Sequence, residues 1–338
     1  MSLERYSRQM LFYDIGQHGQ TLIGKAKVAI IGVGALGTVI ANNLARAGVG
    51  YIRLVDRDYV ELSNLQRQTL FDEQDFNERL PKSAAAARHL KRVNSEIHVD
   101  PVVTDVNPSN VESLISDVDL VMDGTDNFET RFLINDACVK NSIPWIYGAA
   151  LGSCGTTMNI IPGQTPCIRC FIRDIPSPGK VQTCSSAGVL NMITGIVGCY
   201  ESVEALKFIT GSPDLNTKML YIDIWKNSFE AIKLERDTGC PVCSGNTYEF
   251  LDSQVRSYTT KLCGSNSVQI VPHKTGRINF EEIADRMKKL GKVEYNSFLL
   301  KFYAGSFELT LFPDGRAIIK NVDDENVAKS IYSEYLGI

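Results

Sequence analysis

A short apolar run that ends in a glycine triad constrains this chain more than any other feature. Lys27-Val-Ala-Ile-Ile31 is apolar and rich in β-branched residues, the pattern of a strand buried on both faces. It leads directly into Gly32-Val-Gly34-Ala-Leu-Gly37, a G-x-G-x-x-G turn. A helix then runs through Thr38 to Ala47 and stops at Gly48, a residue free to take positive φ. Tyr51-Ile-Arg-Leu-Val-Asp56 reads as the next strand, and its last residue is an acid at the spacing of a ribose ligand. Strand, glycine turn, helix, strand and acid place a nucleotide at Gly32, Gly34, Gly37 and Asp56. Taken alone they fit any dinucleotide-binding fold.

The next segments narrow the chemistry. Ser63-Asn64-Leu65-Gln66-Arg67-Gln68 sets an amide and a guanidinium just beyond the ribose acid, where hydride transfer has no general use for them. A guanidinium near a nucleotide's phosphates points to chemistry at phosphorus. Leu80-Pro81-Lys82-Ser83-Ala84 starts a helix, with proline at the first helical position. Lys82 in that first turn opposes the helix dipole, which a bound phosphate would relieve; a solvated lysine is the plain alternative. Residues 97–103 read as a strand, 108–115 as a short helix and 118–123 as a strand, so strands and helices alternate as in a mostly parallel sheet. Asp123 and Asp126 fall just past a strand's carboxyl end, where open α/β sheets bind ligands. Asp126-Asn-Phe-Glu129 also fits a capping box for a helix over residues 128–141, so Asp126 reads as helix cap, magnesium ligand or both. Residues 144–148 and 156–161 continue the sheet, with antiparallel strands joining from Thr156 on.

The chain has nine cysteines among 338 residues, an odd number that suits a reducing cytosol better than a disulfide framework. Cys167-Ile-Arg-Cys170 and Cys240-Pro-Val-Cys243 each offer two thiolates on one tight turn, and two such knuckles complete a tetrahedral zinc site. Their separation far exceeds that of a zinc ribbon, so a redox pair or buried thiols remain open at this point. Cys184 follows a Pro/Gly/Ser stretch and precedes a long apolar helix, a position that lowers a thiol's pKa; an inert cysteine is the alternative.

A net charge of −4 with 44% apolar and 22% charged residues describes a soluble globular chain with no attraction to nucleic acid or an anionic membrane. Charges in Met1-Ser-Leu-Glu-Arg-Tyr6 leave no room for a secretory core, and no apolar run is long enough to span a bilayer, so a cytoplasmic location is expected. The length accommodates one large domain, 1–247, and a smaller α+β module, 248–338. In the latter, residues 280–290 and 326–335 read as helices, and 298–303, 307–311 and 316–320 as strands.

Arg5-Tyr6-Ser7-Arg8-Gln9, the Ser63–Gln68 run, Pro81-Lys82, Asp123-Gly-Thr-Asp-Asn127 and the two C-x-x-C pairs recur in one order over the first three quarters of the chain. In these motifs the sequence resembles the ThiF/MoeB family, the adenylyltransferases that activate ubiquitin-like sulfur-carrier proteins in thiamine and molybdopterin synthesis. The resemblance implies a Rossmann-like sheet with a structural zinc, and ATP and magnesium as reactants. It implies a carrier ending in Gly-Gly as partner, a separate sulfur donor such as a cysteine desulfurase, and a homodimer. It assigns phosphate contacts to Asn64, Arg67, Lys82 and the neighbouring subunit's copy of Arg8, magnesium to Asp126, and zinc to Cys167, Cys170, Cys240 and Cys243. In thiamine-type relatives a cysteine at the place of Cys184 links covalently to the carrier. The Thr-Cys-Ser-Ser-Ala-Gly run and the Cys-Pro-Val-Cys knuckle look closer to the thiamine branch than to the molybdopterin branch. No C-R-x-G sulfur-transfer loop surrounds Cys263, so sulfur transfer is not assigned to the C-terminal module. An NAD(P)-dependent oxidoreductase and a non-catalytic zinc-clamped scaffold are the readings from other classes. Arg67, Lys82 and Asp126 together argue against both.

Overall fold

The computed structural model describes residues 3–173, 188–252, 258–261, 266–271 and 278–336. The chain divides into two compact units, the first holding the described residues up to Asp252 and the second those from Tyr258 onward.

An eight-stranded sheet forms the first unit, in the order β3-β2-β1-β4-β5-β6-β7-β8. β1 (Lys27–Ile31), β2 (Tyr51–Asp56), β3 (His98–Val103), β4 (Leu120–Asp123) and β5 (Trp145–Leu151) are parallel. β6 (Cys154–Ile160), β7 (Met219–Asp223) and β8 (Ser228–Ile232) extend it antiparallel, as expected from Thr156 on. Lys27–Ile31 is the middle one of the five parallel strands, and its pleat shows why every residue after Lys27 is apolar. Val28 and Ile30 enter one core with Ile40, Leu44 and Val197, while Ala29 and Ile31 enter the other with Ile115, Ile134 and Trp145. Each fully buried Val, Leu or Ile in these layers contributes about 1.5–3 kcal/mol before entropy is counted.

Helices cover both faces because each parallel crossover needs one. Helix Ala35–Ala47 packs on the first core and ends at Gly48, which takes φ 88° as the sequence requires. Helix Phe128–Lys140 lies in the second core. The 20-residue helix Asn191–Thr210 packs with Ala35–Ala47 through Ile193, Val197 and Ala205.

From β1 the chain passes to β2 on one side, and from β3 it crosses back to β4 on the other. The carboxyl ends of β1 and β4 are therefore the point where the direction of winding reverses, the place where such sheets open a crevice.

The second unit is a six-stranded antiparallel sheet in the order β11-β12-β13-β14-β10-β9. Its strands are β9 (Tyr258–Lys261), β10 (Ser267–Val271), β11 (Lys292–Tyr295), β12 (Leu300–Ala304), β13 (Phe307–Leu311) and β14 (Ala317–Lys320). Phe302, Leu309, Leu311 and Ile319 pack against Phe280 and Ile283 of helix Phe280–Met287 and Ala328 and Tyr332 of helix Glu325–Leu336. The three expected strands and both helices are present; β9, β10 and β11 were not foreseen. No described helix is long and apolar enough to cross a membrane.

Candidate functional site

The glycine turn works by close backbone approach. Gly32 takes φ +88°, and a Cβ on Gly37 would lie 2.0 Å from Gly32 O, so the helix meets the strand end only without a side chain there. Gly34 is different, since a Cβ there would find only Gly124 O at 3.8 Å and Gln68 Nε2 at 3.9 Å. Open space lies over Gly34, bounded by that carbonyl and that amide. Helix Ala35–Ala47 starts at Gly34 with no side-chain cap, leaving its first N–H groups directed at whatever occupies the space.

Beside this turn stands Asp56 at the end of β2. Its Oδ2 accepts from the Val33 N–H at 2.7 Å and its Oδ1 from the Asp58 N–H at 2.7 Å, which ties the acid to the glycine turn. Burial pushes its carboxyl up from the ordinary value, and Lys82 pulls against that rise. Segment 58–60 pairs with 80–82, the Val60 N–H donating to Leu80 O at 2.9 Å and the Lys82 N–H to Asp58 O at 2.9 Å. The pairing delivers Lys82, first residue of helix Lys82–Val93, into the interior with its Nζ 3.2 Å from Asp58 Oδ2. Burial alone would depress the lysine's pKa. Asp58 first, then Asp56 and Asp126, outweigh it and hold the ammonium above the usual lysine range. Asn64 is buried, its Oδ1 accepting from the Glu61 N–H at 3.2 Å, and Arg67 Nη1 donates to Ser63 O at 2.9 Å.

The loop after β4 supplies the opposite wall. Asp123 is fully buried, with Oδ1 accepting from the Thr125 N–H at 2.9 Å and hydroxyl at 2.6 Å, and Oδ2 from Arg131 Nε at 2.9 Å. Arg131 Nη2 also donates to Thr125 O at 2.7 Å and Gly148 O at 3.0 Å, so one guanidinium fixes the loop. The expected capping role of Asp126 is corrected here. Asn127 is the cap of helix Phe128–Lys140, its side chain accepting from the Thr130 N–H at 2.9 Å. An N-cap acid must sit immediately before the first helical residue, and the helix starts at Phe128. Asp126 is thereby left exposed, and it raises the pKa of Lys82, Arg57 and Arg131 alike. It therefore stands close enough to all three cations to act on each of them.

A close-packed glycine turn, a buried acid at the end of β2, a buried ammonium and an exposed carboxylate thus meet at one switch point. Residues 6–242 match the ThiF family. The chain belongs to the ThiF family. Over 98% of its length it is 41% identical to the sulfur carrier protein ThiS adenylyltransferase of Bacillus subtilis, covering 99% of that protein. It is 35% identical to a sulfur carrier protein adenylyltransferase of Thermus thermophilus, over 71% of this chain and 90% of the relative. The crystal structure of E. coli MccB with ATP matches with a TM-score of 0.63 at 25% identity, covering 72% of this chain and 75% of that one.

The two cysteine knuckles of this ThiF-family chain do meet. Cys167 and Cys240 lie 3.6 Å apart at sulfur, Cys170 and Cys243 3.4 Å, and Cys167 and Cys170 4.0 Å. All four sulfurs fall within 4.8 Å of one another. Tetrahedral zinc with Zn–S bonds of ~2.3 Å needs sulfurs about 3.8 Å apart, so the donor set and spacing fit that ion. Arg8 is exposed on the short helix Ser7–Met10, and among the described residues no acid pairs with it. Cys184 lies outside the described residues.

Sequence reasoning passed over Arg131, which fixes the loop after β4, and Glu201, which is buried against Gly148. The signal for Glu201 was an acid inside an otherwise apolar helix. It is fully buried, neither carboxyl oxygen has a hydrogen-bond partner among the described residues, and a Cβ on Gly148 would lie 2.2 Å from its Oε1. Burial first, then Asp123, raises its pKa well above the ordinary glutamate value against the pull of Arg131, so the folded chain favours its neutral form. The native state therefore keeps a proton that the unfolded chain releases at about pH 4.3. Stability from this group is lost as pH rises from there to the folded pKa, by about 1.4 kcal/mol per pH unit. Glu201→Gln keeps the shape and removes the titration. Its stability relative to the parent should climb as pH rises above the ordinary glutamate range in guanidinium denaturation. Parallel pH profiles would mean that Glu201 is ionised in the native state.

Proposed function

We propose that this chain adenylates the C-terminal carboxylate of a small ubiquitin-like sulfur-carrier protein ending in Gly-Gly, for the thiamine (thiazole) branch. A carboxylate oxygen of the carrier attacks the α-phosphorus of ATP. The bond from that phosphorus to the β-phosphate's bridging oxygen breaks, leaving acyl-adenylate and pyrophosphate. The observation that carries this reading is a buried, charged Lys82 beside the nucleotide turn, in a chain 41% identical from end to end to a ThiS adenylyltransferase.

Gly32, Gly34 and Gly37 cradle the phosphates and Asp56 takes the ribose. Asn64, Arg67 and Lys82 hold the phosphates, joined by Arg8 of the second subunit. Asp126 would hold magnesium together with phosphate oxygens, and the ion supplies neutralisation of phosphate charge. The chain's own work is positioning and electrostatic stabilisation, because the carrier brings the nucleophile. A Gly-Gly tail suits the task, since residues without Cβ thread a narrow channel in extended form. Sulfur would come from a separate donor such as a cysteine desulfurase, and Cys184 is assigned, on sequence alone, as the thiol that captures the activated carrier.

Incubation with ATP, magnesium and either a thiamine-type or a molybdopterin-type carrier tests the reaction directly. Mass spectrometry should find acyl-adenylate on the thiamine-type carrier. Adenylation of the molybdopterin carrier alone would overturn the branch, and unmodified carrier in every mixture would overturn the reaction.

The homodimer rests on Arg8 and, three residues on, on Leu11, Phe12 and Tyr13, which are 73%, 54% and 84% exposed. Inactive Arg8→Ala chains mixed with inactive Asp126→Ala chains should regain part of the activity, since one site in the heterodimer keeps both residues. No recovery after confirmed subunit exchange would place Arg8 outside the neighbouring site.

Zinc would sit between Cys167, Cys170, Cys240 and Cys243, with no open position for catalysis. Protein prepared without chelator should contain about one zinc per chain, and its removal should lower stability by several kcal/mol. Metal-free protein of unchanged melting temperature would rule the clamp out.

A further inference from the structure

The order of the strand ends maps the nucleotide across the sheet. Phosphates belong at Gly34, beyond β1, and the ribose belongs at Asp56, beyond β2, one strand spacing of about 4.8 Å away. The base hangs from the far side of the ribose and so reaches over the end of β3. Asp56 pairs in register with Val103, the last residue of β3, and Asp105 stands two residues beyond. Arg57 follows Asp56 directly, and its Nη1 donates to Asp105 Oδ1 at 2.7 Å while its Nε lies 3.8 Å from Asp58 Oδ1. The Asp105 side chain is 7% exposed and that of Arg57 26%, so the acid is sunk and the guanidinium lies over it.

The loop that holds Asp105 is rigidly built. Asp105 O accepts from Asn110 Nδ2 at 2.7 Å and Asn107 Nδ2 at 3.3 Å, and the Asn107 N–H donates to Asn110 Oδ1 at 2.9 Å. A buried ion pair is weak evidence for stability, since apolar residues of similar volume do as well or better. Its place beside the ribose acid gives it another use.

We propose that Arg57 and Asp105 recognise the nucleobase, with Asp105 accepting from the exocyclic amine of adenine and the Arg57 guanidinium stacked on the ring face. The assignment rests on ATP being the nucleotide of the proposed reaction. A carboxylate suits the amino group at C6 of adenine and repels the carbonyl oxygen that guanine and hypoxanthine carry there. A planar guanidinium stacks on an aromatic face in a way an ammonium does not.

Titration calorimetry with ATP and inosine triphosphate, which carries a carbonyl at C6, tests this without any carrier. The parent should bind ATP at least about tenfold more tightly than inosine triphosphate, the scale of one hydrogen bond to a charged acceptor. Asp105→Asn, whose amide can turn its NH₂ toward a carbonyl, should bring that ratio close to one. Arg57→Ala should weaken both nucleotides by about tenfold, raising KM in ATP–pyrophosphate exchange far more than it moves kcat, and Arg57→Lys should not restore it. Melting curves without nucleotide establish that each variant is folded. Equal binding of both nucleotides by the parent would overturn the assignment without recourse to any variant. A folded Asp105→Asn with an unchanged ratio would do the same. Discrimination for ATP without carrier adenylation would overturn the proposed reaction and leave the base assignment standing.

Discussion

The carbonyl of Gly32 is the contact on which the rest of the site depends. A Cβ on Gly37 would lie 2.0 Å from that oxygen and a Cβ on Gly124 2.1 Å, so the helix start and the end of β4 both press against it. Backbones this close exclude every other residue type at the two positions without movement of the main chain. The approach draws the loop after β4 over the N-terminus of helix Ala35–Ala47. Asp123, Thr125 and Asp126 are then brought to the phosphate turn from a strand that is distant in sequence and adjacent in the sheet. The crevice is built from two loops because Gly32, Gly37 and Gly124 let their backbones approach this closely.

Charge is arranged around that geometry as nearly cancelling sets. Asp56, Asp58 and Asp126 act on Lys82, and the same Asp126 acts on Arg57 and Arg131. Such balance lets Lys82 remain charged in the interior, against both desolvation and the dipole of its own helix. It also leaves little positive charge to spare. A triphosphate entering the crevice brings negative charge that the resident cations, already paired, only partly meet. Under the proposed reaction this is the physical need for Arg67, for Arg8 of a second subunit and for a magnesium ion.

Much of this was legible in the sequence because local signals agreed with the global fold. The run Lys27–Ile31, the G-x-G-x-x-G turn, Gly48 and Asp56 occupy the expected places, since an apolar strand, a positive φ and a terminal acid each have local causes. The helix cap at residue 126 moved to Asn127 because capping-box spacing leaves a boundary uncertain by a residue, and only the backbone decides which side chain reaches the free N–H. Arg131 and Glu201 were illegible for another reason. Their roles come from packing against Asp123 and Gly148, contacts made across strands and helices far apart in the chain, which no periodicity records. The meeting of the cysteine knuckles was equally non-local, with Cys167 and Cys240 73 positions apart.

That meeting ties the cysteine cluster to the crevice through one helix. Helix Phe128–Lys140 begins at the Asn127 cap, next to Asp126, and carries Arg131 in its first turn. One turn further on, Asn135 Oδ1 accepts from the Ile168 N–H at 3.1 Å, inside the first knuckle. Asp136 Oδ2 accepts from the Phe250 N–H at 2.9 Å, just past the second. Arg169 lies between the rings of Phe132 and Phe250, 5.2 Å and 5.6 Å from their centroids, and 3.6 Å from Glu249. The first knuckle and the short helix Glu249–Asp252 that follows the second therefore both grip the same helix at its middle, while its first turn reaches the crevice. A metal closing the four thiolates would remove the chain entropy of a long loop and fix that helix in register. A slip of the helix by a fraction of a turn would turn Arg131 away from Asp123 and carry Asp126 out of the crevice. Under the proposed reaction, a structural ion at the cluster would act on catalysis by holding the angle at which Arg131, and Asp126 just ahead of the same helix, face the nucleotide.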